Sequence, residues 1–180
     1  MKIETINILK RTDQLSETEK NNIYLLKASH WSYEIKSQIE WFKKNIISSD
    51  LHNMLIIDNN LVGYTALRKK KCRLKLKKLI SNEKILIFDT YIIKDEFRKK
   101  GFGTKLIKSN NKVIRDTNLM SFLLCDENMI NFYKKNGWKF LKSDQFQLIN
   151  HKYNSNGMIF NFEKDNTLID GSDFKIEIFY

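Results

Sequence analysis

Residues 84–107, KILIFDTYIIKDEFRKKGFGTKLI, place a nearly continuous apolar run before a basic loop that contains two glycines. The apolar run predicts a strand that is buried on both faces. The glycines allow the loop backbone to turn tightly and to bring its N–H groups close to a ligand. A helix is predicted to begin at this loop, and the positive end of a helix favours an anion. The stretch therefore predicts a strand, an anion-binding loop and a helix in succession.

Two common phosphate-binding motifs do not fit this loop. The nucleoside triphosphate loop needs Gly-x4-Gly-Lys-Ser/Thr, whereas Gly101 and Gly103 are only two positions apart. The dinucleotide fingerprint needs a third glycine where this chain has Leu106. The loop either holds a pyrophosphate or is a plain strand-to-helix turn with a solvated basic face. Its side chains add mobile positive charge, from Arg98, Lys99, Lys100 and Lys105.

The composition predicts one folded domain over residues 1–180, because 42% of the chain is hydrophobic and 12% is aromatic. No run approaches the roughly 18 apolar residues of a membrane span, so we expect no membrane association. The N-terminal residues lack the apolar core of a signal peptide, and we expect a cytoplasmic protein. Cys72 and Cys125 have no metal-like spacing and are expected to be free thiols, with no bound metal.

The net charge of +11 predicts attraction to phosphate groups, on a nucleotide-like ligand or on a nucleic acid. The basic run LRKKKCRLKLKK, residues 67–78, suggests the second alternative. It has few interleaved aromatic residues for base stacking, and it lacks the common RNA-binding and zinc-finger signatures. We therefore do not expect nucleic acid to be the partner.

Periodicity predicts the elements around the central stretch. A first strand covers residues 2–10, and Ser16 with Glu19 has the spacing of a capping box at the start of a helix to about Ser29. A second helix covers about 33–47, and a hairpin turns around Asp58-Asn59-Asn60. A strand at 72–80 continues or follows the hairpin. The helix after the glycine loop has these residues on its inner face: Phe102, Leu106, Val113 and Ile114. The later predicted elements are a strand at 120–125, a helix at 127–137, and short strands at 138–149, 158–162 and 174–179. This order predicts a mixed α/β fold.

Two motifs together resemble the GNAT superfamily of acyl-CoA-dependent N-acetyltransferases. The first is the Arg98-x-x-Gly101-x-Gly103 loop after a buried strand. The second is the segment SFLLCDENMINFYKKNGWKF, residues 121–140, in which Phe132-Tyr133 precedes Gly137-Trp138. The detailed resemblance covers residues 84–140. It implies an α+β fold with a mixed, mostly antiparallel sheet, flanking helices and two parallel strands that splay apart.

The resemblance implies acetyl-CoA as the acyl donor. In the family, backbone amides of the loop hold the coenzyme A pyrophosphate, and the backbone of the preceding strand pairs with the pantetheine arm. The strand positions here are Tyr91, Ile92 and Ile93. The loop positions are Arg98, Lys99, Lys100, Gly101, Phe102, Gly103 and Thr104.

The resemblance also suggests catalytic residues. Tyr133 matches the tyrosine that protonates the departing thiolate, although such a tyrosine can also be a packed aromatic of an amphipathic helix. Asp89 lies inside an apolar strand, where an unpaired carboxylate is costly. It either accepts the substrate proton, as an acidic residue near this place does in many members, or is a hydrogen-bonded aspartate at a strand irregularity. The oxyanion donor is expected to be a backbone N–H near Ile93.

One position departs from the family pattern. Many members have asparagine seven residues before the tyrosine, in contact with the cofactor, whereas this chain has Asp126, which could instead cap the helix. Asn128 and Asn131 could substitute or could be solvated. Cys125 is expected in the core, and the three histidines are assigned no role.

We therefore expect an N-acetyltransferase whose acceptor is a primary amine of a small molecule, such as an amino sugar on a nucleotide carrier. A phosphate-bearing acceptor suits the positive charge better than a polycationic aminoglycoside. The alternatives are a protein or peptide amine as acceptor, or a protein that binds CoA or nucleic acid without catalysis. The oligomeric state is open, with a homodimer as one option.

Overall fold

A computed structural model describes residues 5–153, 155–162 and 174–180. The chain forms two compact units, each built from discontinuous segments. The first unit comprises Met1–Arg68 and Phe88–Asn110, and the second comprises Lys69–Ile87 and Asn111–Tyr180. The prediction of a single domain over residues 1–180 stays a prediction.

The helices and strands follow the predicted order. The helices are α1 (Glu17–Trp31), α2 (Ile35–Asn45), α3 (Phe102–Asp116) and α4 (Ile130–Lys135). The strands are β1 (Thr5–Arg11), β2 (Leu51–Ile57), β3 (Asn60–Leu76), β4 (Leu79–Ile93), β5 (Met120–Cys125), β6 (Lys139–Leu141), β7 (Phe146–Ile149), β8 (Asn156–Phe160) and β9 (Phe174–Phe179). Strands β3 and β4 and helix α3 contribute residues to both units.

In the first unit, local sequence signals determine the element boundaries. Ser16 Oγ accepts from the Glu19 amide and the Glu19 carboxylate accepts from the Ser16 amide, so the predicted capping box starts α1. Asp58 and Asn59 have φ angles of 46° and 63°, which is the geometry of a tight hairpin turn between β2 and β3. Strand β2 pairs antiparallel with both β1 and β3.

The apolar faces of α1 and α2 cover the strands of the first unit. This core contains Leu15, Ile23, Tyr24, Leu26, Phe42, Met54, Leu61, Tyr64, Ala66 and Ile92. A second cluster packs the start of α3 against the strands, and it contains Leu55, Ile57, Val62, Ile93 and Leu106. The end of β4 and the beginning of α3 therefore lie on a dry, well-packed support.

The second unit holds the parallel strand pair. Strand β4 pairs parallel with β5, with Ile85–Ile87 opposite Met120–Phe122. Strand β8 pairs antiparallel with β5 and β6. Strand β9 pairs antiparallel with β3 and parallel with β7. The predicted fold class, mixed α/β with a mostly antiparallel sheet and a parallel pair, is confirmed, and the β7–β9 pair is an additional parallel contact.

The basic run continues the hairpin strand, which is the first of the two predicted alternatives: β3 extends to Leu76, and a turn at Lys77, with φ 53°, leads directly into β4. The inner face of α3 needs correction: Phe102 and Val113 are only partly buried, whereas Ile107, Asn110 and Asn111 are buried. The two asparagines were missed because their burial depends on hydrogen bonds to distant residues. Of the C-terminal segment 166–180, residues 174–179 form β9, and 166–173 lie outside the described residues.

Within the described ranges, no helix has both the length and the apolar character needed to cross a membrane.

Candidate active site

The glycine loop follows β4 in the first unit. After a short turn of 3-10 helix at Asp95–Phe97, Lys99 and Gly101 both adopt left-handed backbone conformations, with φ of 59° and 83°. Helix α3 begins at Phe102, and the Lys105 amide donates to the Gly101 carbonyl. The backbone N–H groups of the loop and of the first turn of α3 are therefore together at the N-terminal end of the helix. This is the arrangement that binds anions.

The backbone amides of this loop differ in their availability. The Arg98 amide donates to the Asp95 carbonyl at 3.1 Å. Among the described residues, no backbone acceptor is bonded to the amides of residues 99–104. An incoming anion can therefore use these six amides, whereas the Arg98 amide is already occupied.

The Arg98 side chain fastens the loop to β4. Its Nε donates to the Ile93 carbonyl at 3.1 Å, and its Nη2 lies 2.9 Å from Asp95 Oδ1. The same Nη2 lies 3.1 Å from His30 Nδ1, where only the imidazole nitrogen can accept. Burial and the charge of Arg98 lower the pKa of His30. The prediction of mobile charge is therefore wrong for Arg98, whose guanidinium has a positioning role.

The two loop glycines are required for different reasons. A Cβ at Gly101 would meet no atom within 4 Å, so only the left-handed φ selects glycine there. A Cβ at Gly103 would collide with the Tyr91 hydroxyl, which lies against the glycine. Tyr91 is thus placed at the start of α3 by the absence of a side chain at Gly103. Burial raises the pKa of Tyr91, so its hydroxyl stays protonated.

Strand β4 is irregular just before the loop. Thr90 has a φ of 59°, which is an uncommon and strained conformation for a β-branched residue. Beyond it, the side chains of Ile92 and Ile93 are buried. The Lys94 amide donates to the Val62 carbonyl at 2.8 Å, which ties the strand end to β3. The predicted strand residues Tyr91, Ile92 and Ile93 therefore lie directly between the irregularity and the loop.

Asp89 lies at this irregularity and is paired. Its Oδ2 accepts a 2.7 Å hydrogen bond from Arg68 Nη1, and its Oδ1 accepts one of 3.1 Å from Thr90 Oγ1. The Asp89 side chain is 16% exposed and that of Arg68 is 1% exposed. These contacts support the structural alternative for Asp89, because its carboxylate lies beside a buried guanidinium.

Tyr133 belongs to the second unit, on α4. It is buried and contacts the rings of Phe132 and Trp138 edge-on. Its carbonyl accepts from the Asn136 and Trp138 amides, and Gly137 ends the helix with φ 88°. The second motif thus has a packing role, because its glycine allows the chain to reverse and brings Trp138 onto the tyrosine.

Comparison with known proteins identifies the family. Residues 15–138 match the sequence profile of the "Acetyltransferase (GNAT) family". This chain is a GNAT acyltransferase. No curated protein sequence matches it.

Solved structures share the GNAT fold with this chain at low sequence identity. A GNAT family N-acetyltransferase (YhbS) from Escherichia coli in complex with CoA has a TM-score of 0.67 and 10% identity, with 99% of this chain and 92% of that one covered. An aminoglycoside 6'-N-acetyltransferase complexed with coenzyme A has a TM-score of 0.61 and 14% identity, with 85% of this chain and 96% of that one covered. The ribosomal-protein-S18-alanine N-acetyltransferase from Escherichia coli has a TM-score of 0.56 and 10% identity, with 86% of this chain and 91% of that one covered. At these identities the likeness shows the fold.

Asp126 is the position at which this GNAT protein departs from the family pattern. Asp126 precedes the 3-10 turn at Glu127–Met129, but its side chain makes no capping hydrogen bond, so the expectation of a side-chain cap is wrong. Asp126, Asn128 and Asn131 are all exposed. Cys125 is a buried free thiol, as predicted, and burial with the nearby Asp126 charge raises its pKa to about 11. A neutral thiol of this kind is a poor nucleophile.

A buried cationic cluster in the first unit was missed by sequence analysis. Lys27 on α1 is only 4% exposed, and its Nζ lies 3.6 Å from the centroid of the Trp41 ring on α2. The Arg68 guanidinium lies 5.3 Å from the same centroid. Burial is the main cause that lowers the pKa of Lys27 to about 8. The negative charge of Asp89 opposes this shift, and the positive charge of Arg68 adds to it. No sequence signal distinguishes Lys27 from a solvated helix lysine.

A chain of polar groups lies buried in the same unit. His52 Nδ1 lies 2.6 Å from the Tyr64 hydroxyl, and His52 Nε2 lies 2.8 Å from Thr12 Oγ1. Because Thr12 Oγ1 donates to the Asp50 carbonyl, it accepts from Nε2–H, and Nδ1 then accepts from Tyr64. Burial and the Lys27 charge lower the pKa of His52 to about 4, so the imidazole is neutral. This series of hydrogen bonds therefore fixes the tautomer of His52.

Proposed function

We propose that this GNAT protein transfers an acetyl group from acetyl-CoA to a primary amine of a small molecule. The observation that carries the proposal is the loop after β4, where Lys99 and Gly101 adopt left-handed conformations directly before α3. The amides of residues 99–104 supply the hydrogen bonds that a pyrophosphate needs. Coenzyme A in two structures of the same fold supports this ligand.

The cosubstrate would extend from the loop along β4. The amides of Lys99 to Thr104 bind the pyrophosphate, and Arg98 holds the loop in place through the Ile93 carbonyl. The backbone of Tyr91, Ile92 and Ile93 pairs with the pantetheine arm in the manner of an added strand. The strained φ of Thr90 supports this role, because a left-handed residue interrupts the regular strand geometry just before these positions.

The reaction requires proton transfers from the amine nitrogen, before and after its attack, and to the departing thiolate. The neutral amine nitrogen attacks the thioester carbonyl carbon, a C–N bond forms, and the C–S bond then breaks to release the CoA thiolate. An N–H near Ile93 stabilises the oxyanion, and the Tyr133 hydroxyl gives its proton to the thiolate. The Tyr133 oxygen regains a proton from the positively charged nitrogen of the tetrahedral intermediate, which leaves a neutral amide and the CoA thiol. The ammonium proton passes to Asp89, directly or through water. The alternative is that Asp89 only neutralises Arg68, which the 2.7 Å contact supports equally well.

The net charge of +11 supports a phosphate-bearing acceptor, such as an amino sugar on a nucleotide carrier. The structural neighbours do not select the acceptor class, because one is an aminoglycoside acetyltransferase and another is a ribosomal-protein acetyltransferase. A protein or peptide amine therefore remains the alternative acceptor.

Thermal stabilisation tests the proposal first. Acetyl-CoA should raise the melting temperature, and oligonucleotides of equal charge should not. A panel of amines with detection of the released thiol then tests turnover. Stabilisation by oligonucleotides alone would overturn the proposal in favour of nucleic-acid binding. Stabilisation by acetyl-CoA without thiol release from any small-molecule, peptide or protein amine would make the protein a CoA-binding protein without catalysis.

A further inference from the structure

Lys27 is an unusual cation in this protein. It lies on the inner face of α1 and is only 4% exposed. Its ammonium makes no hydrogen bond or ion pair with any residue in the described part of the chain. A buried ammonium without a hydrogen-bond acceptor is costly unless a ligand or solvent supplies one. The described residues offer the Lys27 ammonium the aromatic faces of Trp31 and Trp41, so a hydrogen-bond acceptor would have to come from solvent or from a ligand.

Two indole rings and a second cation surround the Lys27 ammonium. The Trp41 ring lies 3.6 Å from Lys27 Nζ and 5.3 Å from the Arg68 guanidinium, so one indole contacts both cations. The Trp31 ring lies 5.9 Å from Lys27 Nζ and is 40% exposed. Trp31 is therefore a partly exposed ring close to the buried ammonium.

The charges of the cluster do not balance. Arg68 is paired with Asp89 at 2.7 Å, whereas Lys27 adds a second positive charge that has no carboxylate of its own. One anionic group would neutralise the cluster and accept a hydrogen bond from Lys27. Carboxylates and phosphates are the anions that biological amines commonly carry. The flat indoles of Trp31 and Trp41 beside the two cations suit a compact ligand with an apolar or sugar face.

We propose that Lys27, with Arg68 and the indoles of Trp31 and Trp41, binds a carboxylate or phosphate group of the acceptor, so that the acceptor is an anionic primary amine. This inference rests on the proposed acetyl transfer and narrows its substrate class. Asp89 places a carboxylate beside the two cations, and the cluster therefore presents both signs of charge to a zwitterionic amine.

Matched amines test the inference. The pairs are ethanolamine with phosphoethanolamine, butylamine with 4-aminobutyrate, and glucosamine with glucosamine 6-phosphate, so that each pair differs in its anionic group and the arms separate phosphate from carboxylate. Binding is measured by tryptophan fluorescence with coenzyme A present, because Trp31 and Trp41 report on the cluster without turnover. The KM for each amine is measured in parallel.

The variants are Lys27→Met, which removes the charge, Lys27→Arg, which retains it, and Lys43→Met, which removes an exposed lysine of α2 as the matched control. We expect the wild type and Lys43→Met to bind the anionic member of a pair more tightly, by about 10–100-fold. Lys27→Met should abolish this preference, and Lys27→Arg should restore part of it.

Equal binding of both members of every pair by the wild type would overturn the inference, even if all of them were acetylated. An anion preference that survives in Lys27→Met would also overturn it, because the anion would then bind elsewhere. Conversely, anionic amines that bind through Lys27 without being acetylated would support the site while contradicting the proposed function. The two failures are therefore distinguishable.

Discussion

Arg68 Nη1 donates a 2.7 Å hydrogen bond to Asp89 Oδ2, and the arginine that makes this bond is almost completely buried. A guanidinium in that position depends on the neighbouring carboxylate, because an unpaired buried charge is strongly unfavourable. The pair joins β3 to β4 at the strand irregularity of Thr90. The same carboxylate is thus a structural group and the proposed proton acceptor.

Asp89→Asn should lower the free energy of unfolding by about 3 kcal/mol, because Arg68 stays buried after its counter-charge is lost. The double variant Asp89→Asn with Arg68→Met should be more stable than the sum of the two single losses predicts. Urea unfolding of the four proteins measures both effects. Additive losses would show that the pair contributes no coupling.

The pH–rate profile of Asp89→Asn separates the two roles of the residue. If Asp89 accepts the substrate proton, the rate loss should be largest at neutral pH and should shrink at higher pH, where the free amine is abundant. A variant that melts early but keeps the wild-type profile would assign Asp89 to structure, and an ordered water would then be the base.

Replacement of the loop glycines should weaken CoA binding. Gly101→Val should abolish thermal stabilisation by CoA, because a β-branched residue cannot easily adopt φ 83°. Gly101→Asn is the matched control and should retain most of the effect, since asparagine tolerates the left-handed region. Gly103→Val should also abolish the stabilisation by CoA, because the valine side chain would displace Tyr91. Unchanged CoA affinity in both valine variants would remove the loop from the binding site.

Tyr133→Phe should preserve CoA affinity and lower turnover. The phenylalanine ring can keep the contacts with Phe132 and Trp138, and only the hydroxyl is lost. The expected loss in kcat is on the order of 10²–10⁴-fold if the hydroxyl is the general acid. Tyr24→Phe, which removes a hydroxyl from the core of the other unit, is the control. Wild-type turnover in Tyr133→Phe would leave Tyr133 with its packing role alone.

Stability at alkaline pH should depend on Lys27. Its pKa is lowered to about 8 from 10.5, so between these values the unfolded chain binds the proton more tightly than the folded protein. The lysine therefore destabilises the fold below about pH 8, and the free energy of unfolding should rise by roughly 3 kcal/mol as the pH approaches 10.5.

Comparison of the wild type with Lys27→Met isolates this contribution, because all other titratable groups are common to both proteins. Urea unfolding between about pH 7.5 and pH 10.5 should show the rise in the wild type and in Lys43→Met but not in Lys27→Met. Parallel curves for all three would mean that the Lys27 pKa is not lowered.

Local signals in the sequence were sufficient for several features. The capping box of Ser16 and Glu19, the Asp58-Asn59 turn and the glycine loop were predicted correctly because each depends on the conformational preferences of a few adjacent residues. The apolar pattern of β4 and the two motifs were also sufficient to predict the parallel pair and the family.

Other features were decided only by the tertiary structure. Arg98 was expected to be mobile, but its guanidinium is held by Ile93 and by His30, a residue 68 positions earlier. The sequence does not distinguish Lys27 and Arg68 from ordinary surface cations, and only the packing of α1, α2 and β3 brings both of them close to the Trp41 ring. Backbone preferences are local and can be read from neighbouring residues, whereas burial, charge pairing and pKa depend on groups that only folding brings together.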